Sequence, residues 1–388
     1  MIATVCMNGG DADLKDWLRL ALTPGVGPVT ARKLLKAFGL PAHIWGQAPD
    51  ALRHQVGPAL ALTLETVPTD LEDAWTRLSD WLQGDPNRHA LTWADAAYPP
   101  DLLQIPDPPL VLYAQGDLQC LQEGTRLAMA GSRNPTAQGL QTAHDFACHL
   151  AASGVCIVSG MALGVDGAAH AGALDGGGQT VGVVGTGLDR VYPSRHRELA
   201  HRVVRQGVLI SEFPLGTQPL PANFPKRNRL IAGLSQGTLV VEAALASGSL
   251  ITARCAVDMG KEVMAIPGSI HSPQARGCHA LIRQGAKLVE TAQDVLEELR
   301  WAHSAPAASC AVPTMQPDEP SDSGGGQPAE TPADPVLQAL AHDPVGLDAL
   351  QARTGWPTDR LQAHLLELEL DGVVARLPGG LFQRVVRA

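Results

Sequence analysis

The chain has 388 residues, which is long for a single hydrophobic core and predicts two to three domains. An apolar fraction of 45% beside 18% charged residues excludes a mostly disordered protein. Because the net charge is −10, any polyanionic ligand must be met by a local basic patch.

The seven cysteines form no CxxC pair and are odd in number, which argues against a disulfide framework or a zinc ribbon. The first residues, MIATVCMNGGDAD, lack the basic and apolar segments of an export signal. No apolar run approaches the roughly 20 residues that cross a bilayer. We therefore expect a soluble cytoplasmic protein with no membrane partner and no metal site.

Residues 1–88 are predicted to form a small helical domain, because apolar residues recur there at three- and four-residue spacing. The segment PGVGPVTARKLLKAFG (residues 24–39) is similar to a helix-hairpin-helix or SAM-like element, in which Ala31 and Leu34 would pack the two helices together. Its cations Arg32, Lys33 and Lys36 are secondary candidates for DNA binding. A turn that only joins two helices is the alternative.

Residues 98–300 follow a Pro-rich passage and contain short apolar runs every 20 to 30 residues. The predicted strands are residues 126–130, 155–159, 180–185, 208–211, 238–242 and 262–267, with a closing strand at 286–289. The spacing leaves room for one helix between strands, and most strands are apolar throughout. This pattern predicts an α/β fold with a Rossmann-like, doubly wound parallel sheet.

Residues 301–334 are predicted to be an acidic, Pro- and Gly-rich linker, since no Lys or Arg occurs between Pro306 and Pro335. Residues 335–388 regain a helical pattern and end in a hairpin turning at Pro378-Gly379-Gly380, which is typical of a winged-helix-like domain. Its segment 358–372 is acidic, so we expect a packing or protein-contact role. A weak DNA contact through Arg376, Arg384 and Arg387 stays open.

Several predicted strands end in turns that favour anions. In MAGSRNPTAQG (residues 129–139), Gly131, Ser132 and Arg133 form a turn before a helix, where backbone amides and a guanidinium suit a phosphate. EAALASGSLITA (residues 242–253) places Ser247 and Ser249 before another helix. A tight turn with a solvated Arg is the alternative for the first segment.

The most basic segment is NFPKRNRLIAGLS (residues 223–235), where Lys226, Arg227 and Arg229 accompany Phe224. Residues 195–254 carry eight basic and three acidic side chains, a local charge of +5 in an acidic protein. Such a reversal favours a polyanion site, and an aromatic ring can stack on an unpaired base. All these turns follow strands of one parallel sheet, so we expect them to meet in one crevice at its carboxyl edge.

The sequence lacks the motifs of a dinucleotide-binding site and of a P-loop. Residues 182–187 do not have the dinucleotide-binding spacing, which disfavours a nicotinamide dehydrogenase. The motif GxxxxGK[ST] does not occur, which disfavours a P-loop ATPase. Asp166, His170 and Asp189 could be acid, base and metal ligand. A buried, hydrogen-bonded structural role is the commoner outcome for such residues after a strand end.

Seven segments resemble the DNA processing protein A family (DprA, also called Smf) in order and spacing. They are AGSRNPTAQG, SGMALGVDGAAH, VGTGLDRVYP, SEFPLGTQP, FPKRNRLIAGLS, VVEAALASGSLITA and PGSIHSPQARGCHALIRQGA. The resemblance implies a homodimer that binds single-stranded DNA and helps to load the RecA recombinase during natural transformation and recombination. It implies neither catalysis nor a cofactor.

The resemblance, together with the turns, assigns one set of DNA-binding residues. The set is Gly131, Ser132, Arg133, Gly160, Phe224, Lys226, Arg227, Asn228, Arg229, Ser247 and Ser249. The sequence departs from the family at Leu163, where a basic residue is usual. One phosphate contact is therefore expected to be missing.

The main alternative is an enzyme, a LOG-like nucleoside monophosphate phosphoribohydrolase. Such enzymes have a similar sheet with a GSR turn, and a PGGxGTxxE signature in which the Glu assists the sugar. Here LSQGTLVVEA lacks the first glycines and places Glu242 one position late. A catalytic role for Glu242 is therefore disfavoured.

Overall fold

The computed structural model describes residues 11–299, 334–340, 345–377 and 380–384. Contacts divide the chain into two compact units, residues 1–292 and 293–388. Within the described ranges, none of the helices combines the length and apolar composition that a bilayer crossing requires.

Six helices open the first unit. They are α1 (Asp11–Leu22), α2 (Pro28–Phe38), α3 (Pro41–Trp45), α4 (Pro49–Val56), α5 (Pro58–Glu65) and α6 (Leu71–Gln83). Four of them begin at a proline, which suits the first helical turn because the N–H there has no partner within the helix. As the sequence predicts, Ala31 and Leu34 of α2 are buried.

These helices share a hydrophobic core with the sheet that follows. Trp17 and Leu20 of α1 belong to the same buried cluster as Tyr113 and Leu209 of the sheet. The first two predicted domains therefore lie in one compact unit, and their division between residues 88 and 98 stays a prediction.

Nine strands form the sheet of the first unit. They are β1 (Arg88–Thr92), β2 (Val111–Gly116), β3 (Arg126–Ala130), β4 (Cys156–Gly160), β5 (Thr180–Val183), β6 (Val208–Ser211), β7 (Gly237–Val240), β8 (Glu262–Ala265) and β9 (Lys287–Leu288). Their spatial order is β1-β2-β6-β5-β4-β3-β7-β8-β9. β3 to β9 are parallel, and all seven are predicted by the sequence to within two residues at each end. The predicted Rossmann-like α/β fold is confirmed.

The sheet is mixed because two further strands extend one edge. β1 pairs antiparallel with β2, with Arg88 opposite Gln115, and β2 pairs antiparallel with β6, with Tyr113 opposite Ser211. The sequence prediction lacks both strands. β1 (RHALT) mixes polar with apolar residues, and β2 follows directly on a Pro-rich passage that resembles a loop.

Helices cover both faces of the sheet. They are α7 (Pro100–Gln104), α8 (Gln119–Gln122), α9 (Ala137–Ala152), α10 (Val165–Asp175), α11 (Arg197–Gln206), α12 (Asn223–Leu234), α13 (Ser249–Asp258) and α14 (Arg276–Arg283), with a 3-10 turn at Ser194–His196. The next helix, α15 (Ala292–Glu298), begins at the last residue of the first unit and otherwise belongs to the second. α10 packs on α9 and α11, whereas α12 packs on α7 and α13. The strand order reverses between β3 and β7, and a crevice is expected outside the carboxyl ends at such a switch point.

The second unit contains α16 (Pro335–Leu340), α17 (Leu347–Thr354), α18 (Thr358–Leu370) and the strands β10 (Val345–Gly346), β11 (Val374–Leu377) and β12 (Leu381–Arg384). The strands form an antiparallel sheet in the order β10-β12-β11. Gly355, at φ +69°, ends α17 in the left-handed conformation that glycine adopts without strain. The predicted winged-helix-like architecture is confirmed.

Some features predicted for the C-terminal half lie on residues that the structure does not describe. Positions 301–333 of the predicted linker, residues 378 and 379 of the hairpin turn, and Arg387 lie outside the described residues. Within α18, the Arg360 guanidinium lies 3.9 Å from the centre of the Trp356 ring. Stacking on Trp356 therefore already engages the Arg of this otherwise acidic helix.

Candidate nucleic-acid interface

The first turn of the crevice follows β3 and is held from two sides. The Ser132 N–H donates to the carbonyl of Glu242 at 2.7 Å, and the Ser132 carbonyl accepts from the Val165 N–H at 3.1 Å. A side chain at Gly131 would place its Cβ 2.5 Å from Val165, so the close approach requires glycine. The turn that presents Arg133 is thus fixed by the segments that follow β4 and β7.

Three backbone amides of this turn, those of Ser132, Asn134 and Thr136, are bonded within the protein. The N–H of Asn134 donates to the Ser132 hydroxyl at 3.1 Å, and the N–H of Thr136 donates to the Glu242 carboxylate at 2.9 Å. α9 begins only at Ala137, with Thr136 as its cap. These three amides are therefore engaged, whereas the Arg133 side chain is exposed. Phosphate binding by the turn stays a prediction.

Arg227 is a buried cation next to the crevice. It is only 4% exposed, and no described residue is a hydrogen-bond partner of its Nε. A Cβ at Gly160 would lie 1.7 Å from its Nη1, so the glycine at the end of β4 is what admits the guanidinium. Burial lowers the pKa of Arg227, and the nearby Asp166 opposes that shift.

Asp166 is the buried counter-charge of Arg227. Burial raises the pKa of its carboxyl group, and Arg227, the Ala162 N–H and Arg133 oppose this rise. The cavity wall therefore contains a desolvated guanidinium whose hydrogen-bonding capacity is not exhausted by protein groups. Such a group is suited to bind a phosphate oxygen.

Aromatic side chains line a smaller cavity of about 240 Å³. The ring centres of Tyr192 and Phe224 are 5.7 Å apart, and the Arg133 guanidinium lies 5.4 Å from the centre of the Phe224 ring. Leu163 lines the same cavity. Tyr192 is not among the predicted site residues, although its place in the Val191-Tyr192-Pro193 segment after β5 is a signal that points to it.

A larger cavity of about 440 Å³ brings most of the predicted residues together. Its lining includes Gly131, Ser132, Arg133, Phe224, Arg227, Asn228, Ser247 and Ser249. The Asn228 amide donates to the Gly248 carbonyl at 3.3 Å, and the hydroxyls of Ser247 and Ser249 are 2.7 Å apart. The turns after β3 and β7 thus meet in one crevice with α12.

Two predicted cations have other partners. Arg229 is 9% exposed, forms an ion pair with Glu212, and has its Nε 3.0 Å from Asp107. Lys226 lies 3.7 Å from Glu212. Burial raises the pKa of Glu212, while Arg229 and Lys226 oppose that rise. Neither cation lines the two cavities, and Arg229 belongs to an internal ion pair.

The helix-hairpin-helix-like segment is also partly engaged. Arg32 donates to the carbonyls of Leu103 and Ile105 at 3.1 and 3.4 Å. Its guanidinium therefore anchors α2 to the Pro-rich passage. Lys33 and Lys36 are exposed and lie outside the crevice lining.

The residues considered as acid, base and metal ligand have internal partners. His170 is fully buried, and its Nε2 donates to the Gly160 carbonyl at 2.8 Å. Burial lowers the pKa of His170 to about 4. Asp189 accepts from the Gly216 N–H and from Arg190, both at 2.8 Å. In the described part of the chain, no cluster of three His, Cys, Asp or Glu side chains could hold a metal.

Two protein-family models match the sequence of this chain. The family model described as DNA recombination-mediator protein A matches residues 89–300, more than half of the chain. The chain belongs to this family. A second model, the DprA winged helix domain, matches residues 316–380.

Relatives of the DprA family cover much of the chain. Protein Smf of Escherichia coli K12 is 42% identical over 313 residues, which span 79% of this chain and 80% of that protein. The DNA processing protein DprA of Bacillus subtilis is 44% identical over 202 residues, or 52% of this chain and 68% of that protein.

Solved DprA structures have the same architecture. DprA from Streptococcus pneumoniae aligns with a TM-score of 0.58 and 34% identity, covering 73% of this chain and 95% of that one. DprA from Helicobacter pylori, whose single-stranded DNA binding mode has been described, aligns with a TM-score of 0.50 and 30% identity, covering 55% of this chain and 96% of that one.

Proposed function

We propose that the chain is a non-catalytic recombination mediator that binds single-stranded DNA in the crevice formed by the turns after β3, β4 and β7. The observation that carries this proposal is the placement of exposed Arg133 and buried Arg227 in the lining of the same cavity as Phe224. Two guanidinium groups supply phosphate contacts, and the ring supplies a face on which a base can stack. The described binding mode of the Helicobacter pylori relative supports the same ligand class.

The proposed contacts divide into two groups. Arg133 and Arg227 contact phosphates, while Phe224 stacks on a base. Gly131, Ser132, Gly160, Asn228, Ser247 and Ser249 shape the crevice around them. Lys226 is retained as an outer contributor to the local positive potential, because its side chain is exposed and lies 3.7 Å from Glu212. Arg229, which is paired with Glu212 and Asp107, is assigned a structural role.

Binding of labelled oligonucleotides across a salt series tests this proposal. We expect single strands to bind more tightly than duplexes of equal length, with little dependence on base sequence. The logarithm of the binding constant should fall with the logarithm of salt concentration by about 0.7 for each phosphate contacted. Equal affinity for duplex, or binding that salt does not weaken, would contradict it.

We also infer, from the family resemblance, that the protein forms a homodimer in the cytoplasm and helps RecA to assemble on single strands. On this view residues 1–88, 98–300 and 335–388 are three domains, and residues 301–334 link the last two. RecA filament growth on strands coated with a single-strand-binding protein should accelerate when the chain is added. Sedimentation equilibrium tests the dimer separately.

A further inference from the structure

A further cavity of about 480 Å³ lies beside the aromatic cavity of about 240 Å³. It is called the second cavity below, and the aromatic cavity is the first. Its lining combines Arg88 of β1, Gln115 of β2, the loop at residues 188–194, and Arg197 and His201 of α11. Its volume falls within the range of roughly 300–1,000 Å³ that small-molecule sites occupy. No part of the proposed function uses it.

The charged groups of this cavity are not all neutralised. The Arg197 guanidinium is exposed and forms no hydrogen bond or ion pair with any described residue. Arg88 donates from Nη1 to the Trp81 carbonyl at 3.0 Å, but its buried Nε has no partner among the described residues. Arg190 is balanced by Asp189 at 2.8 Å. The remaining positive charge favours an anionic ligand.

The other walls are apolar. Met161, Val184, Leu188, Leu209 and Val204 contribute aliphatic surface to the lining. An apolar wall beside guanidinium groups matches the two halves of a nucleotide, because the base can cover aliphatic side chains while the phosphate meets the cations. A bare phosphate would leave the apolar wall unused.

The second cavity adjoins the aromatic cavity, because the two share lining residues. Met161, Val184 and Tyr192 line both this cavity and the one that contains Arg133 and Phe224. Tyr192 is 47% exposed. A strand that leaves the Phe224 ring can therefore pass over Tyr192 and reach the α11 side without leaving cavity surface.

We propose that this second cavity, defined by Arg88, Arg190, Arg197 and His201, binds a further nucleotide of the same single strand. Tyr192, which lines both cavities, lies on the path of the strand between them. This inference rests on the proposed function and extends the path of the strand from the sheet edge to α11.

Oligonucleotide length separates the two cavities experimentally. We would measure fluorescence anisotropy of labelled thymidine oligomers of four and twelve nucleotides with the full chain. The double variant Arg197→Ala/His201→Ala should lose about tenfold in affinity for the longer oligomer and keep its affinity for the shorter one. Its salt dependence on the longer oligomer should be shallower by about 0.7 per lost phosphate contact.

Three further variants make the comparison specific. Arg205→Ala removes the same charge from an exposed position of α11 outside the cavity lining, and it should match the wild type. Arg133→Ala should weaken both oligomers. Because Arg197 and His201 are exposed, the double variant should fold, and Arg197→Glu should deepen the loss on the longer oligomer.

The outcomes are distinguishable. If the double variant equals Arg205→Ala at both lengths while Arg133→Ala loses binding, the second cavity has no role and the proposed function stands. If the double variant weakens both lengths equally, the strand path is wrong. If no variant and no length shows single-strand binding, the proposed function itself fails.

Discussion

The carboxylate of Glu242 accepts two hydrogen bonds from Thr136, one from its N–H at 2.9 Å and one from its hydroxyl at 2.6 Å. The backbone carbonyl of Glu242 also accepts the Ser132 N–H at 2.7 Å. Glu242, which follows β7, thus fixes both ends of the segment that carries Arg133. Both carboxylate oxygens are engaged in this contact, so the role of Glu242 in the fold is to position the turn that carries Arg133.

Replacing Glu242 should therefore loosen the crevice. We expect Glu242→Ala to lower the free energy of unfolding by about 1–3 kcal/mol, because the Thr136 donors lose their acceptors. Single-strand affinity should fall with it, since Arg133 is no longer held in place. Glu242→Gln keeps one acceptor oxygen and should lie between the two proteins. Urea unfolding and anisotropy measure these effects.

The same variants test the enzymatic alternative. Neither the wild type nor Glu242→Gln should release adenine from AMP in a chromatographic assay. Adenine release by the wild type that disappears in Glu242→Gln would instead assign Glu242 to catalysis.

Arg133 and Arg229 should respond differently to truncation. Arg133 is exposed and free of ion pairs with described residues, so Arg133→Ala should reduce single-strand affinity about tenfold and change stability by less than about 0.5 kcal/mol. Arg229→Ala leaves the buried Glu212 carboxylate without its main partner, which should cost about 3 kcal/mol of stability. Parallel unfolding and binding curves measure both.

Arg77→Ala is a matched control, because Arg77 is an exposed cation on α6 outside the crevice lining. It should change neither property. A large loss of affinity in Arg229→Ala at full stability would show that Arg229 contacts the strand directly.

The parallel core of the sheet could be predicted because buried parallel strands are apolar along their whole length. β1 and β2 could not, since β2 joins the sheet by pairing with distant β6, and the polar-containing segment RHALT of β1 joins it only by pairing with β2. Their strand character arises from tertiary contacts and leaves no clear pattern in the local sequence.

The position of the crevice was predictable for a related reason: turns after parallel strands share one edge. It was not predictable which cations of the crevice are free to bind a ligand and which are paired within the protein. Arg229 is neutralised by Glu212 and Asp107, which are distant from it in sequence, and Arg227 is desolvated beside Asp166. A count of basic residues along the chain cannot distinguish a free guanidinium from a paired one.

The buried His170 should make stability depend on pH. Its folded pKa of about 4 lies below the ordinary value of 6.5, so the unfolded chain binds the proton more readily between these values. The free energy of unfolding should therefore fall as the pH is lowered from 6.5 to 4, with a contribution of about 3 kcal/mol from this group. Above pH 6.5 His170 is neutral in both the folded and the unfolded chain, so this loss of stability disappears.

Denaturant unfolding of the wild type and of His170→Gln at pH 7 and pH 4.5 isolates this effect. Whatever its stability at pH 7, the difference between its free energies of unfolding at pH 7 and pH 4.5 should be smaller than that of the wild type. His170→Asn provides a second comparison of different side-chain length. Equal pH dependence in all three proteins would mean that protonation of His170 is not penalised in the folded state.

Leu163 offers a gain-of-function test of the strand's path. It lines the aromatic cavity with Arg133 and Phe224, at a position where a basic residue is usual in the family that the sequence resembles. Leu163→Lys should raise single-strand affinity by about three- to tenfold at low salt and steepen the salt dependence by about 0.7, the value for one added phosphate contact. Leu163→Gln, which adds polarity without charge, should change neither quantity. If lysine and glutamine have the same effect, then no phosphate passes within reach of residue 163, and the strand must cross the cavity on its Tyr192 side.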